Sequence, residues 1–207
     1  MKKYALIILT GMFLSCATTN PKLSGVIKLK NGTTVEGLMT DPSHYVGSAP
    51  KSLAIKTSNG KFKYKNNEIE KVTILGQEKI YVPFFAKKFM SLKPSGKIKY
   101  LWLTPVSIPN GKASLYSGEK EQTNQKGRYI GTTTFYYVWK KGEEASNYFT
   151  SSELGLTIGE GNAYRTMIEN VFQDCPELIK KSKDERYKPK NKSVIDVVNE
   201  YNSTCGK

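Results

Sequence analysis

The period of the hydrophobic pattern changes once along this chain, and this change limits the possible folds more than any other feature. From Gly25 to Thr150, apolar residues mostly alternate with polar ones, as they do in half-buried β-strands. From Ala163 onward they recur at intervals of three and four residues, as they do on the buried side of a helix. A run of strands followed by a run of helices favours an α+β fold over an alternating α/β fold.

The first antiparallel β region is expected over residues 24–85. Asn31-Gly32 separates two alternating runs, and both residues tolerate the positive φ angles of a tight hairpin turn. A second hairpin is predicted at Asn59-Gly60, with short strands following up to Val82. The glycine-led hairpin, the second hairpin and the ending Glu-Ile-x-x-Val-x-Ile together resemble a small Sm-like or SH3-like barrel.

The second region, residues 86–207, is expected to combine an antiparallel β region with three packed helices. Its longest predicted strand is Arg128 to Lys140, and the polar stretch from Glu119 to Lys126 is expected to be a mobile loop. Pro176 is predicted to separate the first two helices, and Ser193 is predicted to cap the third.

Residues 1–15 have the layout of a bacterial signal peptide, in which Lys2 and Lys3 precede an apolar run. That run is too short for a permanent transmembrane helix, which needs roughly 20 residues. The segment Phe13-Leu14-Ser15-Cys16 resembles the lipobox of bacterial lipoproteins, and the resemblance implies cleavage before Cys16 and acylation of its thiol. The alternative is an ordinary signal peptide with a cysteine near the cleavage site.

Residues 16–23 form a short polar tether in this interpretation, and the lipid anchors the mature chain to a bacterial membrane. No acidic residue directly follows Cys16, whereas lipoproteins that reach the cell surface often carry acidic residues there. We therefore expect a protein of the outer membrane that faces the periplasm. In this oxidising compartment the pair Cys175 and Cys205 is expected to form a disulfide, with two buried free thiols as the alternative.

A family resemblance covers roughly the second half of the chain. Val171–Leu178 (VFQDCPEL), Val197–Asn202 (VVNEYN) and Cys205 resemble the C-terminal part of a family of uncharacterised envelope proteins from Bacteroidetes-type bacteria. The resemblance extends upstream to Tyr136–Gly142 (YYVWKKG). It implies a fold and a compartment, but no activity.

No constellation in the sequence indicates catalysis, a metal site or a cofactor. Gly159-Glu160-Gly161 lacks the third small residue and the βαβ setting of a dinucleotide-binding loop. His44 is the single histidine and is expected in an exposed loop, and the three cysteines are not clustered as zinc ligands are. Two pairs of carboxylates, each close in sequence, are expected to be solvated, because catalytic pairs need a defined separation in space. They are Glu68, Glu70, Glu143 and Glu144.

One basic stretch is a candidate contact for anionic lipid headgroups or acidic glycans. Each cation near such a surface contributes about 1 kcal/mol, and a solvated helix end is the alternative. The cations are Lys180, Lys181, Lys183, Arg186, Lys188, Lys190 and Lys192. The whole chain has a formal net charge of +14, but the envelope compartment argues against nucleic acid as a partner.

Aromatic residues are concentrated on the longest predicted strand. Strand alternation puts four of them on one face and leaves Ile130, Tyr136 and Val138 on the other. The four are Tyr129, Phe135, Tyr137 and Trp139. One possibility is that this face stacks on sugar rings or binds a partner. The alternative is that both faces of the strand are covered within the fold, one by the sheet core and the other by the C-terminal helices.

The sequence thus predicts a lipid-anchored envelope protein that acts as a non-catalytic binding or structural module. Its expected partners are the membrane and an anionic lipid, a glycan or another envelope protein. The alternative is an envelope hydrolase that acts on glycan or peptide through carboxylates that only the fold brings together. A redox factor acting through Cys175 and Cys205 is disfavoured, because the chain has no Cys-x-x-Cys motif.

Overall fold

The computed structural model describes residues 22–44, 49–87, 94–106, 111–151, 160–184 and 192–205. The predicted signal segment and Cys16 lie outside these ranges. Ten antiparallel strands form one open sheet, and with three helices they confirm the predicted α+β class. The strands are β1 (Lys22–Leu29), β2 (Thr34–Thr40), β3 (Ser52–Thr57), β4 (Gly60–Lys65), β5 (Ile69–Ile74), β6 (Gln77–Lys87), β7 (Pro94–Val106), β8 (Ala113–Thr123), β9 (Tyr129–Lys140) and β10 (Asn147–Ser151). The helices are α1 (Glu160–Val171), α2 (Pro176–Ser182) and α3 (Val194–Thr204).

The first five strands lie in the order β5-β1-β2-β3-β4 around a core of aliphatic side chains. The predicted hairpin at Asn31-Gly32 forms, with the Gly32 amide donating to the Leu29 carbonyl at 2.9 Å and a φ of 88° at Gly32. The small barrel expected here is not closed. Since β6 pairs with the second edge of β5, β4 remains at the edge of the sheet.

The sheet continues from β6 through β7, β8 and β9 to β10, so the boundary expected after Phe85 falls within a strand. The loop expected from Glu119 to Lys126 is wrong over most of its length. β8 continues to Thr123, and its polar residues lie opposite the threonine run of β9, with Glu119 paired with Thr134. Glu119, Lys120 and Glu121 are exposed, and the residue opposite Lys120 is the buried but polar Thr133, so this arm carries no hydrophobic alternation.

The three helices cover one face of β8, β9 and β10, as predicted. Their apolar residues pack with the strands in a core that includes Phe149, Phe172 and Val198. Ser193 caps α3 as expected: its hydroxyl accepts from the Asp196 amide at 3.2 Å, while the Asp196 carboxylate accepts from the Ser193 amide at 3.0 Å. Reciprocal bonds of this kind satisfy two amides that the helix leaves unpaired.

Cys175 and Cys205 are joined by a disulfide with an S–S distance of 2.05 Å. Cys175 directly precedes α2 and Cys205 directly follows α3, so the bond fastens the end of the last helix to the junction between α1 and α2. This is the pairing expected from the sequence. Cys175 is fully buried, which shields its sulfur from reductants in the folded state.

Candidate functional site

The aromatic face of β9 forms one wall of the candidate site. Phe135, Tyr137 and Trp139 alternate with Tyr136 and Val138, and the second set packs towards the helices, as the alternation predicts. Phe84 of β6 meets Tyr137 edge-on with ring centroids 5.6 Å apart. The backbone also brings β6 to the start of β10, since the Phe85 amide donates to the Ser146 carbonyl at 3.0 Å. The aromatic face is therefore partly enclosed by β6 and β7.

Tyr129 does not join this wall, although it has the same strand parity. The register between β8 and β9 shifts at Gln122/Thr123, and Tyr129 is 63% exposed at the beginning of β9. Its hydroxyl lies 2.9 Å from that of Thr132, a neighbour on its own strand.

A cavity of about 250 Å³ lies against the aromatic face. Its apolar lining includes Phe84, Leu103, Phe135 and Tyr137, and the exposed Lys120 also borders it. Burial raises the pKa of Tyr137 well above its ordinary value of 10.0, so the hydroxyl stays protonated at neutral pH. The cavity offers mainly apolar and aromatic surface, which is typical of sites for small apolar ligands.

Gly118 shapes the wall of this cavity on β8. A Cβ atom at this position would lie 2.8 Å from the Cδ2 atom of Leu103, so a larger residue would displace that side chain. This contact could not be predicted from the sequence, because it depends on how β7 and β8 are placed against each other.

Trp102 also borders the cavity, and it is 2% exposed. Its indole N–H has no hydrogen-bond acceptor among the described residues. Its ring packs in the core of the first five strands, with the Tyr81 ring centroid 5.3 Å away, so this unpaired donor belongs to that core.

A hydroxyl, an amine and a carboxylate meet at Ser43, on the cavity wall. The Ser43 hydroxyl donates to Asp41 Oδ1 at 2.6 Å, and Lys79 Nζ donates to the Ser43 hydroxyl at 3.2 Å. Lys79 Nζ is 3.5 Å from Asp41 Oδ2, and both side chains are largely buried. The Ser43 amide also donates to Asp41 Oδ1 at 2.8 Å, as in the capping of a short helical turn. The group was missed from sequence because 36 residues separate Ser43 from Lys79.

Asp174 joins the helices to the sheet. It accepts hydrogen bonds from the Tyr201 hydroxyl at 2.6 Å and from Lys112 Nζ and Lys140 Nζ at 2.9 Å each. Burial alone would raise the pKa of Asp174, but these three donors outweigh it and hold the pKa well below the ordinary 3.8. Asp174 therefore stays ionised and acts as a structural link rather than as a proton donor.

Three of the four candidate carboxylates have structural partners, and the fourth, Glu144, is exposed in the turn after β9. Glu68 accepts from the Lys65 amide at 3.0 Å, Glu70 pairs with Lys28 at 2.8 Å, and Glu143 pairs with Lys140 at 3.1 Å. These contacts bring no two of them together at a cleft.

Two further sequence candidates are only partly described. His44 ends a 3₁₀ turn that begins at Pro42, and its side chain lies outside the described residues. Glu160 and Gly161 open α1, whereas Gly159 lies outside the described residues.

The basic stretch is only partly free to meet an external anion. Lys181 and Lys192 both pair with Glu200, at 3.0 Å and 2.8 Å. Lys180 and Lys183 are exposed at the end of α2. Arg186, Lys188 and Lys190 lie outside the described residues. The contact with an anionic surface stays a prediction.

Comparison with known protein families, with curated proteins and with solved structures found no match. Within the described ranges, no group of three or more His, Cys, Asp or Glu side chains is placed to hold a metal ion. None of the described helices has the length and apolar content to cross a bilayer.

Proposed function

We propose that this chain is a lipid-anchored, non-catalytic binding module of the bacterial envelope, with the cavity against the aromatic face of β9 as its ligand site. The cavity carries the proposal, because it combines an apolar aromatic lining with few polar groups. Phe84 and Tyr137 fix its shape through their edge-on contact. A largely pre-formed apolar cavity is the usual form of a site for a small molecule.

The size of the cavity limits the ligand to a small apolar or aromatic group. Apolar cavities of about 150 Å³ bind benzene, so the 250 Å³ found here suits a substituted ring or a short alkyl chain. Glu119 and Lys120 both border the cavity, so a polar end of the ligand would meet side chains of opposite charge there.

The anchor is supported by the lipobox-like segment that ends at Cys16 and by the distance from it to the folded region. β1 begins at Lys22, so the tether between the proposed acylated thiol and the sheet is short. An anchor on so short a tether keeps the folded region at the membrane surface.

The binding site is tested by titrating the ¹⁵N-labelled protein with toluene as the probe. We expect shifts of the amides of Leu103, Phe135 and Tyr137. Gly118→Ala is expected to weaken the binding, because the new methyl group displaces Leu103. Glu121→Ala, at an exposed position of the same strand, is the matched control and keeps the wild-type response. Saturable shifts confined to other surfaces, or equal binding by both variants, would contradict the proposed site.

A hydrolase is the second candidate, and the contacts of Ser43 with Lys79 and Asp41 are what favour it. It ranks below the binding module because the Ser43 hydroxyl and amide both donate to Asp41, which accounts for the group as a cap. In addition, Lys79 Nζ lies 3.5 Å from Asp41 Oδ2, so the amine is engaged with the carboxylate as well as with Ser43. Labelling of Ser43 by a fluorophosphonate probe, abolished in Ser43→Ala, would favour the hydrolase.

A further inference from the structure

Four lysines lie on the outer face of the two strands at one edge of the sheet. Lys56 of β3 is directly opposite Lys61 of β4. Lys63 and Lys65 follow at alternate positions of β4, so they share the face of Lys61. All four are exposed, and we call them the lysine face. This face lies far along the chain from the basic stretch at the end of α2.

The lysine face concentrates positive charge without compensation. Strands on the other side of β2 neutralise their lysines, since Lys28 pairs with Glu70 and Lys71 with Glu78. No residue of the lysine face has an ion-pair partner in the part of the chain that the structure describes. Like charges at directly opposite positions destabilise a sheet. Glu36 of β2 is exposed on the same face, two residues from Leu38, and it forms no ion pair with the lysine face among the described residues. The repulsion is retained in the fold, which indicates an external anionic partner.

An exposed aliphatic side chain adjoins the lysine face. Leu38 of β2 is directly opposite Lys56 and is 48% exposed. Cations combined with an exposed aliphatic residue fit the boundary of a bilayer, where lysines meet phosphates and the apolar group meets the acyl region. A soluble acidic glycan offers no apolar layer to Leu38, so the combination favours a lipid surface.

The chain before β1 keeps this face near the anchor. Lys22 begins β1 and lies opposite Thr40, two residues from Leu38 on the same face. The six Cα-to-Cα steps from Cys16 to Lys22 span at most about 22 Å when fully extended. An anchored thiol at Cys16 therefore holds the lysine face within reach of the headgroups.

We propose that the lysine face and Leu38 bind the anionic headgroups of the membrane to which the chain is anchored. The proposal rests on the proposed function for its compartment, but not on the apolar cavity. The bilayer contact orients the sheet, with the edge formed by β3 and β4 against the membrane. A lipid chain together with a basic patch supplies two attachment signals instead of one.

The test uses the chain from residue 16 with Cys16→Ser, so that no acyl chain contributes to binding. Its uptake is measured by co-sedimentation with vesicles of phosphatidylcholine alone and with vesicles containing phosphatidylglycerol. The variant is Lys56→Gln, Lys61→Gln and Lys63→Gln, and the matched control with equal charge change is Lys99→Gln, Lys126→Gln and Lys141→Gln, at exposed positions outside both basic regions. At about 1 kcal/mol per lysine, the variant loses about 100-fold in partition coefficient at low salt.

We expect salt-sensitive uptake on anionic vesicles only, with the control close to the parent chain. A second variant, Leu38→Ala, is expected to weaken uptake without changing its salt dependence. Three results would overturn the proposal: equal uptake on neutral vesicles, loss confined to the control, or unchanged uptake accompanied by self-association of the variant. The last would mean that these lysines protect a free sheet edge. The Cys16→Ser chain carries no acyl group. A finding that native Cys16 is not acylated would therefore contradict the proposed function without changing the vesicle uptake measured here.

Discussion

Removing the disulfide is expected to destabilise the fold by about 3.5 kcal/mol. The two cysteines are 30 residues apart in sequence. In the chain-entropy model, cross-linking a loop of this length lowers the entropy of the unfolded chain, which raises its free energy by about 3.5 kcal/mol. The loop contains the whole of α2 and α3. α3 contributes Val197, Val198 and Tyr201 to the core, so a loosened end of this helix exposes apolar surface.

The assay is urea unfolding of the double variant Cys175→Ser/Cys205→Ser, followed by circular dichroism. With an m-value of about 2 kcal/mol/M, the midpoint falls by about 1.7 M relative to the oxidised parent. Adding a phosphine reductant to the unfolded parent is expected to reproduce the shift and to leave the double variant unchanged. A midpoint that falls by less than a quarter of this amount would refute the reasoning, because the cross-link would then have little effect on the entropy of the unfolded chain.

Substitutions at three further contacts are measured by the same unfolding assay. Asp174→Asn is expected to cost about 1–2 kcal/mol, because the buried Tyr201 hydroxyl loses a charged acceptor. Because the folded pKa of Asp174 lies below the ordinary 3.8, the difference in free energy of unfolding between the parent and Asp174→Asn is complete above about pH 4 and becomes smaller as the pH falls further. A difference that does not depend on pH would contradict the ionic role. Ser193→Ala is expected to cost about 1 kcal/mol and Ser193→Gly only a few tenths, so equal losses would argue against the cap. Lys79→Met is expected to cost about 3 kcal/mol by leaving the buried Asp41 unpaired, and adding Asp41→Asn is expected to recover part of the loss.

The features that depend on local pattern were predictable from the sequence. The hairpin at Asn31-Gly32 and the cap at Ser193 depend on residues a few positions apart. The helix break at Pro176 follows from one residue that lacks an amide donor. The disulfide was predictable only because the chain has two cysteines beyond Cys16 and an expected oxidising compartment.

The features that depend on register or on distant pairing could not be predicted. The arm formed by β8 and β9 has polar residues on both faces, so Glu119 to Lys126 carries no strand period. The cavity depends on Gly118 meeting Leu103, a contact set by how β7 and β8 lie together. The sequence shows that Lys61, Lys63 and Lys65 alternate, but only the pairing of β3 with β4 brings Lys56 to the same face.

The central claim is that acylation of Cys16 anchors the folded chain in the envelope. It is tested most directly by feeding cells a radiolabelled fatty acid while they express either the parent chain or Cys16→Ser. The account predicts label on the parent chain alone, recovered with the membrane fraction. Equal labelling of both chains, or an unlabelled parent chain in the soluble cell interior, would contradict it.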